Sequence, residues 1–309
     1  MKNHKLVSVI LCCHKVNSFL FKSIDSILHQ DYSKFELIIL FDNPSSFEFK
    51  KIKTRYKNHI LFNKIIFLKN RKNIGLTKSL NIAINKSNGY YIMRQDSDDI
   101  SINTRMQTLV DYLINNPQKD LVYSNVIIIN DKNKIVKNKK NYLLINSFFS
   151  SYNFRNSISH PSIMFRKEIF LKINSYDLRF LVSQDYDLVH RFIKNSRYCV
   201  GKAKGYLYKL RYSKNSISSK MSKEQLKNSV IIIFINTIFN NRFQNLKDTT
   251  QMFKHIEENM KTNYQFAIYY SYLTFKKIPL KLKINLIFLI FLFYRYIFHP
   301  NLLLKRLFK

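Results

Sequence analysis

Three of the chain's 19 acidic residues fall within four positions, at Asp96, Asp98 and Asp99. Carboxylates at alternate positions of a tight turn can converge on one hard cation, and Mg2+ or Mn2+ held that way keeps positions open for phosphate oxygens. The same acids also suit a turn whose Asp caps the following helix, so an Asp-x-Asp spacing alone decides nothing. A second pair, Asp185 and Asp187, follows Ser183. Ser with acids in the next turn is the pattern of a capped helix start. A carboxylate in that place can equally serve as a general base that takes a proton from a hydroxyl. A further acid, Asp42, ends an apolar run and opens Asp42-Asn43-Pro44-Ser45, which is turn chemistry.

The elements around these acids decide whether they meet. Residues 6–11 form a continuous apolar, β-rich run, as a strand buried on both faces does. Residues 35–41, 65–68, 90–94 and 121–129 read as further strands. Between them Phe21, Ile24, Ile27 and Leu28, then Leu76, Leu80, Ala83 and Ile84, then Met106, Leu109, Val110 and Leu113 recur at helical spacing. Strands alternating with helices predict βαβ units and a mostly parallel sheet. Ligands of such sheets bind beyond the carboxyl ends of the strands. Asp42 and the Asp96–Asp99 cluster both lie at such ends, which strengthens the cation assignment. Beyond about residue 140 the pattern shortens: His160 to Phe165 reads as a loop entering a strand, Ser183 to Asn195 as a helix, and 222–240 as helical. The expected division is an α/β domain over 1–218 and a helical, basic region over 219–309.

Hydrophobic residues make up 46% of the 309 positions, which supports a sizeable core and excludes a disordered chain. The net charge is +33, from 52 Lys and Arg against 19 Asp and Glu. Such an excess suits a polyanionic partner, nucleic acid or an anionic membrane surface. It also follows from a composition saturated with Lys, Asn and Ile. A basic nucleic-acid- or membrane-binding protein without catalysis is the competing class; no nucleic-acid motif is present, and the acids at the sheet's ligand-binding ends count against it. Cys12, Cys13 and Cys199 are odd in number and two are adjacent, so a disulfide framework is excluded and a reducing compartment fits. The start resembles a signal peptide, but its apolar part spans only eight residues, so it reads as the first strand. No transmembrane helix is expected.

Several segments together resemble the family 2 glycosyltransferases with the GT-A fold, of the kind that build bacterial surface polysaccharides. The stretch Asn73-Ile74-Gly75-Leu76-Thr77-Lys78-Ser79-Leu80-Asn81, then Gly89-Tyr90-Tyr91-Ile92, Asp96-Ser97-Asp98-Asp99-Ile100 and Arg105-Met106 is similar in order and spacing to that family's donor-site core. His160-Pro161-Ser162-Ile163-Met164-Phe165-Arg166 and Gln184-Asp185-Tyr186-Asp187-Leu188 resemble further family segments, the latter the one that carries the base. Arg211 with Asn215-Ser216-Ile217-Ser218 resembles the loop that closes the site. The resemblance implies a Rossmann-like GT-A sheet flanked by helices, and an inverting transfer from a nucleotide-sugar, expected to be a UDP-sugar, to a glycan or lipid-linked acceptor. It implies donor contacts from Asp42, Asn73 and Asp96, with Asp42 on the uracil or ribose. It implies a Mn2+ or Mg2+ ion at Asp98 with Asp99 beside it, Asp185 as the base, and Arg211 adding positive charge at the diphosphate. The chain departs from the family pattern at Asn43 and Gln184, where acids are usual, at Ser213, where His is common, and at Cys12-Cys13.

After Glu258 the chain has no acid, while Lys and Arg continue. Residues 284–298 are apolar apart from Asn285 and Arg295, and at ~1.5 Å per residue they span about 22 Å as a helix, short of the ~30 Å hydrocarbon core. A basic, aromatic segment of this kind can lie in the interface of an anionic bilayer. The expected location is cytoplasmic, peripheral to the inner face of the cell membrane, with no nucleic-acid partner.

Overall fold

A computed structural model describes residues 5–141, 158–195 and 200–212, together with Glu224, Gln225, Asn228, Ser229, Ile232 and Gln251. The chain divides into two compact units, Met1–Asn245 and Leu246–Lys309. The first unit carries β1 (Val7–Cys13), α1 (Ser18–Leu28), β2 (Phe35–Phe41), α2 (Ser46–Tyr56), β3 (Ile65–Lys69), α3 (Leu76–Asn85), β4 (Tyr91–Asp96), β5 (Ile100–Ser101), α4 (Arg105–Asn115), β6 (Leu121–Ile129), β7 (Ile135–Lys139), β8 (Ile163–Arg166), α5 (Lys167–Lys172), α6 (Gln184–Asn195) and β9 (Val200–Arg211).

The strands form one sheet in the order β3-β2-β1-β4-β8-β6-β9-β5, with β7 paired to β6. β1 to β4 run parallel, and β9 is parallel to β6. β8 is antiparallel to both β4 and β6, while β5 and β7 are antiparallel to β9 and β6. So β1 to β4, β6 and β9 share one direction, and the sheet is mostly parallel, as the sequence predicts. All seven residues of β1 and all seven of β2 are buried because helices cover both faces. Val7, Val9 and Leu11 pack with residues of α1, α2 and α4, whereas Ile10 and Cys12 pack with α3, α5 and α6. Each such aliphatic side chain taken from water contributes ~1.5–3 kcal/mol.

Two glycines of the motif stretch are fixed by geometry. Gly75 caps α3 at φ 86°, a left-handed conformation that side chains resist. At Gly89 a Cβ would lie 2.3 Å from the Ser8 hydroxyl, whose oxygen accepts the Gly89 amide at 2.7 Å. α2, β5, β7, α5 and β9 are additional to the elements expected. Ser183 directly precedes α6, and its carbonyl accepts the Asp187 amide at 3.1 Å; its φ is 67° and its hydroxyl donates to the Gln225 carbonyl at 3.3 Å. The boundary expected near 218, Ser213, Cys199 and the apolar run 284–298 lie outside the described residues. Among the described residues, no helix is long and apolar enough to cross a membrane.

Candidate active site

β1 lies between β2 and β4, so the winding of the chain reverses at β1 and opens a crevice at the carboxyl edge of the sheet. Asp42 and Asp96 stand on either side of it. Asp42 is buried, and its carboxylate accepts from the Asn70 side-chain amide at 2.8 Å and from the backbone amides of Ile74 and Gly75 at 2.9 Å each. It therefore fixes the 70–75 loop from below. Asn73, at the top of that loop, is exposed and turns its carbonyl oxygen to the Gly75 amide at 3.1 Å.

The acidic turn leaves β4 at Asp96. The Asp96 carboxylate accepts from the guanidinium of Arg94 at 2.5 Å, while 35% of its side chain remains exposed. Arg94 is wholly buried and also donates to the carbonyls of Ile10 and Gln95, pinning Asp96 to the end of β1. Asp98 is half-buried, and burial with the neighbouring Asp96 charge pushes its carboxyl up to about 6. Asp99 turns inward: it is buried, accepts the Arg211 amide at 2.6 Å and hydrogen-bonds Tyr208. Burial, with Asp96 and Asp98 nearby, holds the Asp99 carboxyl well above the usual range.

Beneath the turn, Arg105 is another wholly buried guanidinium. It donates to Gln95, Ser101 and the carbonyls of Arg94 and Pro161, and lies 4.6 Å from the Tyr208 ring. Arg105 thus ties β4, α4 and the His160 turn together. Arg211 donates from Nε to the Asp98 carbonyl at 2.8 Å, and from its two terminal nitrogens to Asn130 O and Asn133 Oδ1 at 2.6 Å each. Arg211 thereby clamps the acidic turn to the β6–β7 turn, with Phe19 4.2 Å beneath its guanidinium.

The second acidic pair separates. Asp187 is buried and ion-paired to Arg191 at 2.5 Å, a contact within α6; burial raises its carboxyl and Arg191 opposes this. Asp185, two residues back, is half-buried, and its charge bears on Lys139 and Tyr176. The segment leading to it is held over α3, where Asn81 exchanges hydrogen bonds with the Tyr176 backbone and Thr77 donates to the Phe180 carbonyl at 2.9 Å. The Tyr176 phenol meets His160 Nε2 at 2.7 Å and feels Arg94 and Asp96 as well as Asp185. The fold therefore brings the Asp185 helix start and the Asp96 turn around one buried tyrosine.

A divalent ion bound to one or two carboxylates, with phosphate oxygens and water completing its shell, is the usual Mg2+ arrangement. Asp98, with the exposed part of Asp96, fits that arrangement; Asp99 is directed into the protein. Among the described residues no three acids, histidines or cysteines converge on one point. Cys12 and Cys13 are buried, and burial raises both thiols, Cys12 to about 12, so neither is a nucleophile at neutral pH. His29 is the helix-end histidine its position suggests, with Nδ1 2.7 Å from the Asp25 carbonyl. Arg94, Tyr208 and Asn70 are site-supporting residues that sequence reasoning missed, although an Arg two residues before an acidic turn inside an apolar strand is a readable signal.

The profile of the family described as glycosyl transferase family 2 matches residues 8–175. The chain is 35% identical over 191 residues to the O-antigen biosynthesis glycosyltransferase WbnJ of Escherichia coli, covering 61% of this chain and 72% of that one. It is 26% identical over 226 residues to the E. coli UDP-Glc:alpha-D-GlcNAc-diphosphoundecaprenol beta-1,3-glucosyltransferase WfgD, covering 71% and 82%. In fold it is similar to S. aureus TarS 1–349 in complex with UDP, with a TM-score of 0.58 and 14% identity over 89% of this chain and 76% of that one.

Proposed function

The chain belongs to glycosyl transferase family 2, and on that premise we propose that it transfers a sugar from a UDP-sugar to a glycan or lipid-linked acceptor, with inversion, in building a surface polysaccharide. The observation that carries this reading is the acidic turn at the carboxyl end of β4, with Asp185 at the start of α6 bearing on the same buried Tyr176 as Asp96. The names of WbnJ and WfgD support the polysaccharide setting and the lipid-linked acceptor, and the UDP held by TarS supports the donor class.

In this mechanism the loop fixed by Asp42 presents Asn73 to the nucleoside, and Asp96 orients it from the other side of the crevice. Asp98, with Asp96, would hold a Mg2+ or Mn2+ ion, which supplies positive charge to the departing nucleoside diphosphate. Asp185 takes the proton from the acceptor hydroxyl as that oxygen attacks the anomeric carbon from the face opposite the diphosphate. Arg94, Arg105 and Arg211 hold the turn in place so that little reorganisation accompanies the reaction. The acid-free C-terminal region supports work at the anionic, cytoplasmic face of a membrane.

The test is a screen of nucleotide-sugars for cation-dependent release of free nucleoside diphosphate, with the anomeric configuration of any product determined by NMR. Release with at least one UDP-sugar and an inverted product is expected. Salt-sensitive DNA binding without any release would instead favour the basic binding protein.

A further inference from the structure

The start of α6 is held by residues from beyond the division expected near 218. Glu224, Gln225, Asn228, Ser229 and Ile232 are helical, and Asn228, Ser229 and Ile232 are buried. Asn228, Ser229 and Ile232 lie three, four and seven residues on from Gln225, so the four share one helix face. That face meets the two residues directly before α6. Asn228 Nδ2 donates to the Val182 carbonyl at 2.9 Å, and the Ser183 hydroxyl donates to the Gln225 carbonyl at 3.3 Å. The Ser229 hydroxyl donates to the same Gln225 carbonyl at 2.7 Å. From the other side, α3 fixes this segment at Tyr176, through Asn81, and at Phe180, through Thr77.

Packing alone does not account for the contact at 182–183. Ser183 has a φ of 67°, left-handed, where the residue before a helix is usually extended. A residue other than glycine keeps that conformation only where its surroundings impose it. The groups that bear on it from outside the segment are Asn228 and Gln225. Asn228 itself is buried, and its Oδ1 has no partner among the described residues. An amide buried for one hydrogen bond gains nothing over an apolar side chain of similar shape, so burial does not select asparagine there. What the bond fixes is the Val182 carbonyl, three residues before Asp185. The Ser183 carbonyl in turn accepts the Asp187 amide at 3.1 Å. The orientation of residue 183 therefore sets the direction of the first turn of α6, which carries Asp185.

We propose that Asn228 is a positioning residue for the transfer step: through the Val182 carbonyl it holds Ser183 left-handed, and so sets the place of the Asp185 carboxylate. This rests on the transferase reading above and extends the site's machinery past residue 218.

The full-length protein is assayed for UDP release from whichever UDP-sugar it turns over fastest, with water standing in for the acceptor hydroxyl and donor concentration varied. Asn228→Ala should lower kcat about 10-fold, with the donor KM and the UDP dissociation constant from calorimetry within about 2-fold of wild type. In an Asp185→Asn background the same substitution should cost under about 2-fold more, because a residue acting through the carboxylate has nothing left to place. A change that only loosened the fold would multiply the two losses. Full multiplication, or a raised donor KM with kcat unchanged, would overturn the proposal. Ser183 supplies a second pair of variants should Asn228→Ala fail to fold. Glycine adopts a positive φ freely and alanine resists it, so kcat of Ser183→Gly should exceed that of Ser183→Ala by about 3-fold at equal donor KM. Equal kcat values would overturn the proposal as well. Absence of UDP release by wild type with every UDP-sugar would remove the transferase reading and this proposal with it, whereas wild-type release with multiplied losses overturns the positioning role alone.

Discussion

Replacing Tyr208 with Phe removes one oxygen from the support of the acidic turn. The Tyr208 hydroxyl accepts the Asp96 amide at 3.1 Å and hydrogen-bonds the Asp99 carboxylate. Its ring is fully buried with the Arg105 guanidinium 4.6 Å from its centre, and Phe keeps that packing. The hydroxyl remains protonated at any working pH, because burial and the charges of Asp99 and Asp96 hold it well above the ordinary tyrosine range. Without it the Asp96 amide loses its partner, while Asp99 still accepts the Arg211 amide at 2.6 Å. A buried polar group left unpaired costs ~1–3 kcal/mol, so a loss of about 2 kcal/mol is expected. At ~2–4 °C per kcal/mol for a unit of this size, Tm should fall by roughly 4–8 °C. Looser holding of Asp96 should raise the donor KM about 10-fold with kcat little changed, since Asp185 is untouched. Thermal unfolding followed by circular dichroism, with initial rates across donor concentration, measures both. A Tm within about 1 °C of wild type together with an unchanged donor KM would refute the argument that Tyr208 positions the turn.

Asp98→Asn should abolish cation-dependent transfer while the protein stays folded, because the half-buried carboxylate best placed for the ion is lost; undiminished activity of the variant, or of wild type in excess chelator, would remove the ion from the mechanism. Asp185→Asn should reduce transfer at least ~100-fold with nucleotide affinity retained, and a collapse of affinity with normal turnover would make Asp185 a donor-site residue instead. His190, edge-on to Tyr186, is lowered to about 4 by burial, and His160 is lowered by burial and by Arg94. At these two histidines the unfolded chain binds more protons below about pH 6.5, so their contribution to stability is full above that pH and is lost as pH falls towards 4, by at most about 3 kcal/mol for His190, while the raised carboxyls of Asp98, Asp99 and Asp187 act in the opposite sense. In urea unfolding across the window, stability of His190→Gln relative to wild type should rise as pH falls from about 6.5 to about 4, and a difference independent of pH would contradict it. Removing residues 279–309 should release the protein from anionic vesicles completely, where high salt releases it only partly; vesicle binding unaffected by the truncation would place the membrane contact elsewhere.

Much of the architecture was legible in residue order. The strands β1 to β4 and β6 are dense apolar runs, and α1, α3 and α4 keep their buried residues at helical spacing, so hydrophobic period alone located them. The missed elements lack that signal. α2 buries only Ile52 and Tyr56, and its readable mark was local: Ser45, whose hydroxyl accepts the Glu48 amide at 3.3 Å, with Glu48 three residues on. β9 is broken by Gly201 and Gly205 and carries Lys202, Lys204 and Lys209, so neither composition nor alternation announces a strand; pairing with β6 makes it one.

The sequence by itself determined the acid-bearing turns, the parallel sheet that puts them at one edge, and the family resemblance that joins them. It could not divide the labour among like residues. Asp96, Asp98 and Asp99 are equivalent as letters, yet β9 captures Asp99 from 112 positions away while Asp98 stays half-buried at the turn. Asp185 and Asp187 are likewise equivalent by spacing; α6 turns Asp187 into the protein against Arg191 and leaves Asp185 facing Lys139 and Tyr176. Arg211 and Asp42 also act as supports, and their partners, Asn130, Asn133, Asn70 and the 74–75 amides, arrive only when distant segments pack. Local pattern reports periodicity and turn chemistry, which act over a few residues. Which carboxylate is buried, paired or left facing the crevice depends on groups brought together by tertiary contact, and that only the folded chain decides.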